Sequence, residues 1–337
     1  MIDRAAAEAI ATCWRVVLAA AIAPALTVAG CGSSAPSDTS DAAPISDATA
    51  ANDAPVVIDT ASELDAASTG PVPGNLDVTW MHGSADCRAN TDPELQVHAY
   101  NATTYIIRQN KCRTFEAPFI YVLIGTRSAL SLDTGATDTP GLRDAIRNLI
   151  GDKPLLVAHS HAHVDHIASD DRFQGQRGVD VVPNTVAGQQ AAFAIATWPT
   201  SPGSFELGDR ALDVIAIPGH EQTHIAIYDR QTGILLTGDS LYPGLLLISD
   251  WTTYRTSIHR LARFAADHPI THVLGAHIEM TTTPKRAYPY GETFQPDEHA
   301  LPLTPAHLIE LDTALDALGP TPPRSPVAHD DFVIKPT

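Results

Sequence analysis

Lysine and arginine are scarce: 21 stand against 39 aspartates and glutamates, a formal net charge of −18 over 337 residues. A duplex-binding surface needs clustered cations to displace counterions, so nucleic acid is excluded as the default partner. Acidity of one sign also repels anionic membrane surfaces. Long apolar runs are missing too. The longest, residues 16–29, falls short of the roughly 20 residues that span a bilayer as a helix. Charged residues make up only 18% of the chain and apolar ones 44%, which excludes global disorder and permits a substantial core. There are four cysteines, whereas histidine is plentiful at 15.

Arg4 and Arg15 precede the run at 16–29, which reads as the core of a secretory signal. It ends in Val28-Ala29-Gly30-Cys31, which resembles a bacterial lipobox, whose cysteine becomes the lipidated first residue of the mature protein. Residues 1–30 are therefore expected to be a lipoprotein signal, and Cys31 a lipid anchor in the membrane. The chain would be exported, to the periplasm or cell surface. Gly32 after the anchor, in place of the aspartate associated with inner-membrane retention, favours the outer membrane. Between Gly32 and Gly74 there is no lysine or arginine, and the acids are Asp38, Asp41, Asp47, Asp53, Asp59, Glu63 and Asp65. Too little bulky apolar surface is present to offset ordering entropy, so residues 31–75 read as a disordered acidic tether. A folded domain is expected over 76–337. Cys13 and Cys31 belong to export, which leaves Cys87 and Cys112 as a pair; in an oxidising compartment a disulfide is the favoured reading.

Alternating runs at 96–100 and 104–109 flank Asn101-Ala102 and predict a hairpin. Further short β-rich runs follow at 119–125, 129–133, 155–158, 212–217, 225–228, 234–237 and 273–274. Helical segments open at Thr139-Pro140, after Asp250, and at Thr304-Pro305; Leu308, Leu311, Leu315 and Leu318 of the last are at helical spacing. Mixed strands and helices over this length imply a layered α/β domain.

A buried-looking strand, Leu155-Leu156-Val157-Ala158, runs into His159-Ser160-His161-Ala162-His163-Val164-Asp165-His166. In an extended segment residues i and i+2 share a side, so His161 and His163 can converge on one ion, and the following turn carries Asp165 and His166 to a neighbouring position. Imidazole and carboxylate together suit zinc or another borderline divalent metal. The HxHxDH pattern resembles that of the metallo-β-lactamase superfamily, and four further motifs stand in that family's order. These are Asp133 in Ser131-Leu132-Asp133-Thr134-Gly135, His220 in Pro218-Gly219-His220, Asp239 in Leu236-Thr237-Gly238-Asp239, and His277 in Gly275-Ala276-His277. Thr223-His224 after the Pro-Gly-His turn resembles the glyoxalase II branch. The resemblance implies an αββα four-layer sandwich with two metals at one edge, between the sheets. It implies that one metal binds His161, His163 and His220, that the other binds Asp165, His166 and His277, and that Asp239 bridges them. Asp133 would orient a ligand from behind. His159 has no place in the pattern, and His224 is expected to be structural.

Two divalent ions, zinc in the first instance and iron or manganese otherwise, would lower the pKa of a shared water and supply a hydroxide at neutral pH. They would also polarise a carbonyl, so no serine or cysteine nucleophile is needed. The resemblance thus implies a dinuclear-metal hydrolase that cleaves an ester, thioester, lactone or amide of a small molecule. Asp165 could hold the water. Tyr242, three residues after Asp239, matches in offset a tyrosine whose hydroxyl contacts the substrate carbonyl in lactone-opening members. Glu279, Tyr288 and Tyr290 are candidates for the pocket mouth. The alternatives are an iron-dependent oxidoreductase like the persulfide dioxygenases, whose reduced ligand set differs from the complete one here, and a β-lactam hydrolase within the hydrolase class.

Overall fold

The structure, a computed structural model, describes residues 70–337. The signal segment, Cys13, Cys31 and the tether as far as residue 69 lie outside the described residues. Residues 70–75, placed with the tether by composition, are already laid on the domain: Val72 N–H donates to Gln231 O at 3.0 Å and Asn75 N–H to Tyr100 O at 2.8 Å. No helix among the described residues is long and apolar enough to cross a membrane.

Six strands form one sheet in chain order: β1 (Leu95–Asn101), β2 (Thr104–Gln109), β3 (Phe119–Ile124), β4 (Ala129–Leu132), β5 (Leu155–Ala158) and β6 (Val179–Val181). Strands β1 to β4 run antiparallel; β4, β5 and β6 are parallel. Then come β7 (Gly203–Glu206), β8 (Ala211–Ala216), β9 (Ile225–Asp229), β10 (Ile234–Gly238), β11 (Leu245–Ile248) and β12 (His272–Gly275). The second sheet has the order β12-β10-β9-β8-β7. Near the C-terminus β13 (Val327–Ala328) and β14 (Val333–Pro336) make a small third sheet with β11.

The helices are α1 (Pro140–Ile150), α2 (Val164–Ile167), α3 (Asp170–Phe173), α4 (Val186–Phe193), α5 (Trp251–Asp267) and α6 (Pro305–Leu318). The expected start signals operate. Thr139 and Asp250 accept from Gly141 N–H and Thr253 N–H at the first turns of α1 and α5, and Thr304 with His307 forms a capping box on α6.

Two-residue alternation explains the layering. On β3, Tyr121 and Leu123 enter the core between the sheets, where they meet Leu212, Val214, Ile227 and Leu236. Their neighbours Ile120, Val122 and Ile124 face Leu142, Ile146 and Ile150 of α1. On β9, Ile225 and Ile227 point inward, whereas Ala226 and Tyr228 face Ile258 and Leu261 of α5 and Leu308 and Leu311 of α6. The order is helix, sheet, sheet, helix. Both central strands are apolar on both faces because both faces are covered.

A disulfide joins Cys87 to Cys112, with Cα atoms 5.0 Å apart. It spans the β1–β2 hairpin and restrains the loop from Lys111 to Pro118, which runs past the site described next.

Candidate metal centre

Strand ends assemble the site. Asp133 follows β4, His159 to His163 follow β5, and Asp165 and His166 sit on α2. In the second sheet β8, β10 and β12 point the same way, since β9 is antiparallel to β8 and β10 while β12 is parallel to β10. Their ends deliver His220, Asp239 and His277. The glycines before two of these have steric causes. A Cβ on Gly219 would lie 2.3 Å from Tyr254 Cα, and one on Gly238 (φ +49) 2.8 Å from Ser160 Cβ.

The seven side chains fall into two groups, His161–His163–His220 and Asp165–His166–Asp239–His277; within each, one ligand atom per residue lies within 4.8 Å of the others. In the first group His161 Nε2 and His220 Nε2 each stand 3.0 Å from His163 Nδ1 and 3.2 Å from one another. A tetrahedral ion with bonds of about 2.0–2.1 Å to nitrogen spaces its ligands about 3.3 Å apart, close to this triangle. Asp239 faces both groups. Its Oδ1 is 3.5 Å from His166 Nε2 and 3.4 Å from His277 Nε2, and its Oδ2 is 3.6 Å from His220 Nε2 and 3.9 Å from His161 Nε2. Asp165 Oδ2 lies 3.2 Å from His166 Nε2 and 3.4 Å from His277 Nε2. His166 Nε2 and Asp239 Oδ1 are buried without a hydrogen-bond partner. Buried polar atoms are ordinarily satisfied, so these two orphans, aimed into a set of nitrogen and oxygen donors, fit a divalent cation.

The far side of each imidazole is anchored. His220 Nδ1 donates to Leu247 O at 2.7 Å and His277 Nδ1 to Glu116 O at 3.0 Å, which leaves both Nε2 lone pairs facing inward. Asp133 Oδ2 is 2.9 Å from His166 Nδ1, and the same carboxylate accepts from Ser160 N–H at 2.6 Å and Ser160 Oγ at 2.9 Å. Asp133 therefore stands behind His166, on a backbone with φ +73.

Burial, which opposes ionisation of Asp165, is outweighed by His166 and then His277, so its carboxyl stays well below the usual range. Asp239 is held low in the same way, by His277 and then His166. Reciprocally, burial would lower His166, but Asp133, Asp239 and Asp165 raise it well above its ordinary value. Bound cations would replace protons here, the linkage general to sites of this kind. His161 is pushed well down by burial and by His166.

His224 has a supporting place behind the centre. It is fully buried, its ring stacks on His161 with centroids 4.7 Å apart, and its Nε2 accepts from Asp239 N–H at 3.1 Å. His159 turns away from the centre to Asp170, 2.8 Å off. Tyr242 is buried beside the centre. Its hydroxyl is 2.6 Å from Leu245 O and 3.1 Å from Glu279 Oε2, and its ring packs edge-on against His277. Its one proton is engaged inside the fold, so contact with a substrate carbonyl would require breaking that bond. Glu279 is an anchor, accepting from Leu245 N–H at 2.8 Å, and Tyr288 accepts from Asp297 N–H. Tyr290 alone of the three stands exposed, edge-on to Phe115 at 5.0 Å.

Beside the centre, Arg108 is completely buried and makes a two-pronged pair with Glu298, at 2.6 and 2.5 Å. Lys111, 3.7 Å from the same carboxylate, has its pKa lowered from the usual 10.5 to about 8, by burial first and by Arg108 next. Below pH 8 folded and unfolded chains both hold that proton, and the burial penalty is present in full. Between about 8 and 10.5 the folded chain has shed it while the unfolded chain has not, so stability rises with pH. Lys111→Met should gain most over the wild type at pH 7 and lose that advantage by pH 10.5 in urea unfolding. A stability difference that is flat with pH would contradict the assignment.

Residues 113–277 match the family model described as the metallo-beta-lactamase superfamily. The chain carries a metallo-beta-lactamase domain. The chain is 26% identical over 165 residues to "Acyl-coenzyme A thioesterase MBLAC2" of Gallus gallus, covering 39% of this chain and 58% of that protein. It is 34% identical over 130 residues to the Homo sapiens protein of the same name, covering 30% and 46%. "Hydroxyacylglutathione hydrolase" of Rhodobacter capsulatus is 34% identical over 125 residues, covering 36% and 47%. The chain spans about half the length of the curated relatives it matches. Among solved structures, a metallo-beta-lactamase from Pontibacter korlensis is similar at 18% identity and a TM-score of 0.46, covering 66% of this chain and 99% of that one.

Proposed function

We propose that this metallo-beta-lactamase domain is a dinuclear-metal hydrolase that cleaves the acyl bond of a small thioester or ester. The observation that carries the reading is Asp239, whose two oxygens face two separate ligand groups. His161, His163 and His220 would hold one ion, and Asp165, His166 and His277 the other. Ions there would supply an acidified water and a Lewis acid for the carbonyl, zinc being the metal best suited to this donor set. The chain's own residues keep the geometry: Asp133, Leu247 O and Glu116 O hold three imidazoles in orientation, and His224 holds the Asp239 backbone. Five of the seven donors are buried imidazoles or a buried carboxylate, and His163 is the exposed one, so the substrate enters on its side. The thioester class is supported by the similarity to the acyl-coenzyme A thioesterases of Gallus gallus and Homo sapiens. We place the enzyme outside the cytoplasm, lipid-anchored at Cys31, a reading supported by the Cys87–Cys112 bridge, since disulfides persist in oxidising compartments.

Zinc-loaded protein should hydrolyse members of a panel of acyl thioesters and aryl esters, with β-lactams and lactones in the same panel. Chelation should remove the activity, and zinc should restore it. Turnover indifferent to chelation, or none above buffer across the panel, would sink the reading.

A further inference from the structure

A cavity of about 750 Å³ lies beside the turn that presents His220, and residues on both sides of that histidine, Pro218, Gly219, Glu221 and Gln222, line it. Its size is that of a small-molecule site. None of the seven ligand side chains lines it, so it adjoins the metal centre without being part of it. Val186, Trp198, Pro199 and Pro218 give it apolar walls, and Arg260 of α5 lines it too.

Arg260 is unlike the deeply buried arginines of this fold. Arg108 and Arg210 each meet a carboxylate, Glu298 and Asp229, through two nitrogens. Arg260, partly buried, donates through Nη1 to Ala216 O at 2.7 Å and has no carboxylate within ion-pair distance among the described residues. Burial alone lowers its pKa, with no acid offsetting it. The two acids of the lining are engaged elsewhere. Glu221 accepts from Thr223 N–H and Thr223 Oγ1, both at 2.6 Å, and Asp250 accepts from Thr253 N–H and Thr253 Oγ1 at the start of α5. A partly buried guanidinium with no carboxylate within ion-pair distance, in the lining of a cavity with apolar walls, complements a chain with an anionic end.

Resting on the hydrolase reading, we propose that this cavity holds the non-reacting arm of the substrate, an apolar chain that ends in a carboxylate received by Arg260. The turn carrying His220 then joins the two parts of one substrate site: the acyl bond at the metal centre and the arm beside it.

Two matched thioesters test this, alike except that one arm ends in a carboxylate and the other in a carboxamide. The wild type should show a KM about tenfold lower for the carboxylate, the scale of one charge-assisted pair. Arg260→Gln should raise that KM about tenfold and erase the preference, with Arg260→Lys recovering part of it. Arg255→Gln, on the same helix but paired with Asp316 at 3.2 Å, should keep the preference. A readout without turnover is the emission change of Trp198 on titration with dodecanoate, which should vanish in Trp198→Phe and weaken in Arg260→Gln. Equal KM values for the two thioesters in the wild type, or a Trp198 signal indifferent to dodecanoate, would overturn the inference while leaving the hydrolase reading in place. Dodecanoate binding at Trp198 with neither thioester nor any member of the wider panel hydrolysed would support a ligand site in the cavity and remove the hydrolase reading instead.

Discussion

Asp239→Asn should lower thioester hydrolysis by about a thousandfold, at the upper end of what removing one charge-stabilising group from an active site does. The size follows from position. Asp239 is the one of the seven side chains with an oxygen toward each donor group, so on the two-metal proposal losing its charge would weaken both positions. Asparagine keeps the volume and one carbonyl oxygen, and the Asp239 N–H can still donate to His224. The fold should therefore survive, with unchanged far-ultraviolet dichroism, while bound metal measured by mass spectrometry falls below the wild-type ratio. The reverse pattern, full metal content and a rate within a factor of about three of wild type, would place the chemistry elsewhere.

The largest effect on stability is expected away from the candidate metal centre, at Asp229→Ala. Arg210 and Asp229 are both completely inaccessible, joined through Nε at 3.1 Å and Nη2 at 2.6 Å. Arg210 also donates to Thr103 O at 2.7 Å, Ile124 O at 3.2 Å and Thr104 Oγ1 at 2.7 Å, all in or beside the first sheet, while Asp229 ends β9 in the second. One guanidinium thus ties the two sheets together. Removing the aspartate strands a buried cation and should cost about 3–5 kcal/mol in urea unfolding. The double variant Arg210→Met/Asp229→Leu should lose less than Asp229→Ala alone, because neither charge is then left unpaired. A loss under about 1 kcal/mol for the single change would mean that water reaches the pair.

Much of the scaffold was legible along the chain because its signals are local. The alternation at 96–100 and 104–109, the Thr-Pro helix starts and the Asp250 cap depend on neighbours in sequence, and each appears where it was expected. The short strands β7, β11 and β14 carry no such signal. Strand β14 exists because β11 offers it a parallel edge, a partner nearly ninety residues away. Tyr242 shows the converse. Its spacing from Asp239 suggested substrate contact, but Glu279 and Leu245 O, brought in by packing, engage its hydroxyl. Residues 70–75 show the same limit, since composition alone assigned them to the tether and Gln231 and Tyr100 hold two of them on the domain.

Scarce cations, few cysteines and the lack of a spanning apolar run narrowed the field; spacing then picked out His161, His163, Asp165 and His166 as donors, and the family resemblance added His220, Asp239 and His277. Such donors announce themselves because metal chemistry restricts their type and the strand period restricts their spacing. Only the tertiary structure decided what holds them. Two of the anchors, Leu247 O and Glu116 O, are main-chain carbonyls that any residue could supply, so no letter in the sequence marks them. It also decided that Arg260 has no carboxylate within ion-pair distance among the described residues, a property of the folded surroundings and not of the residue.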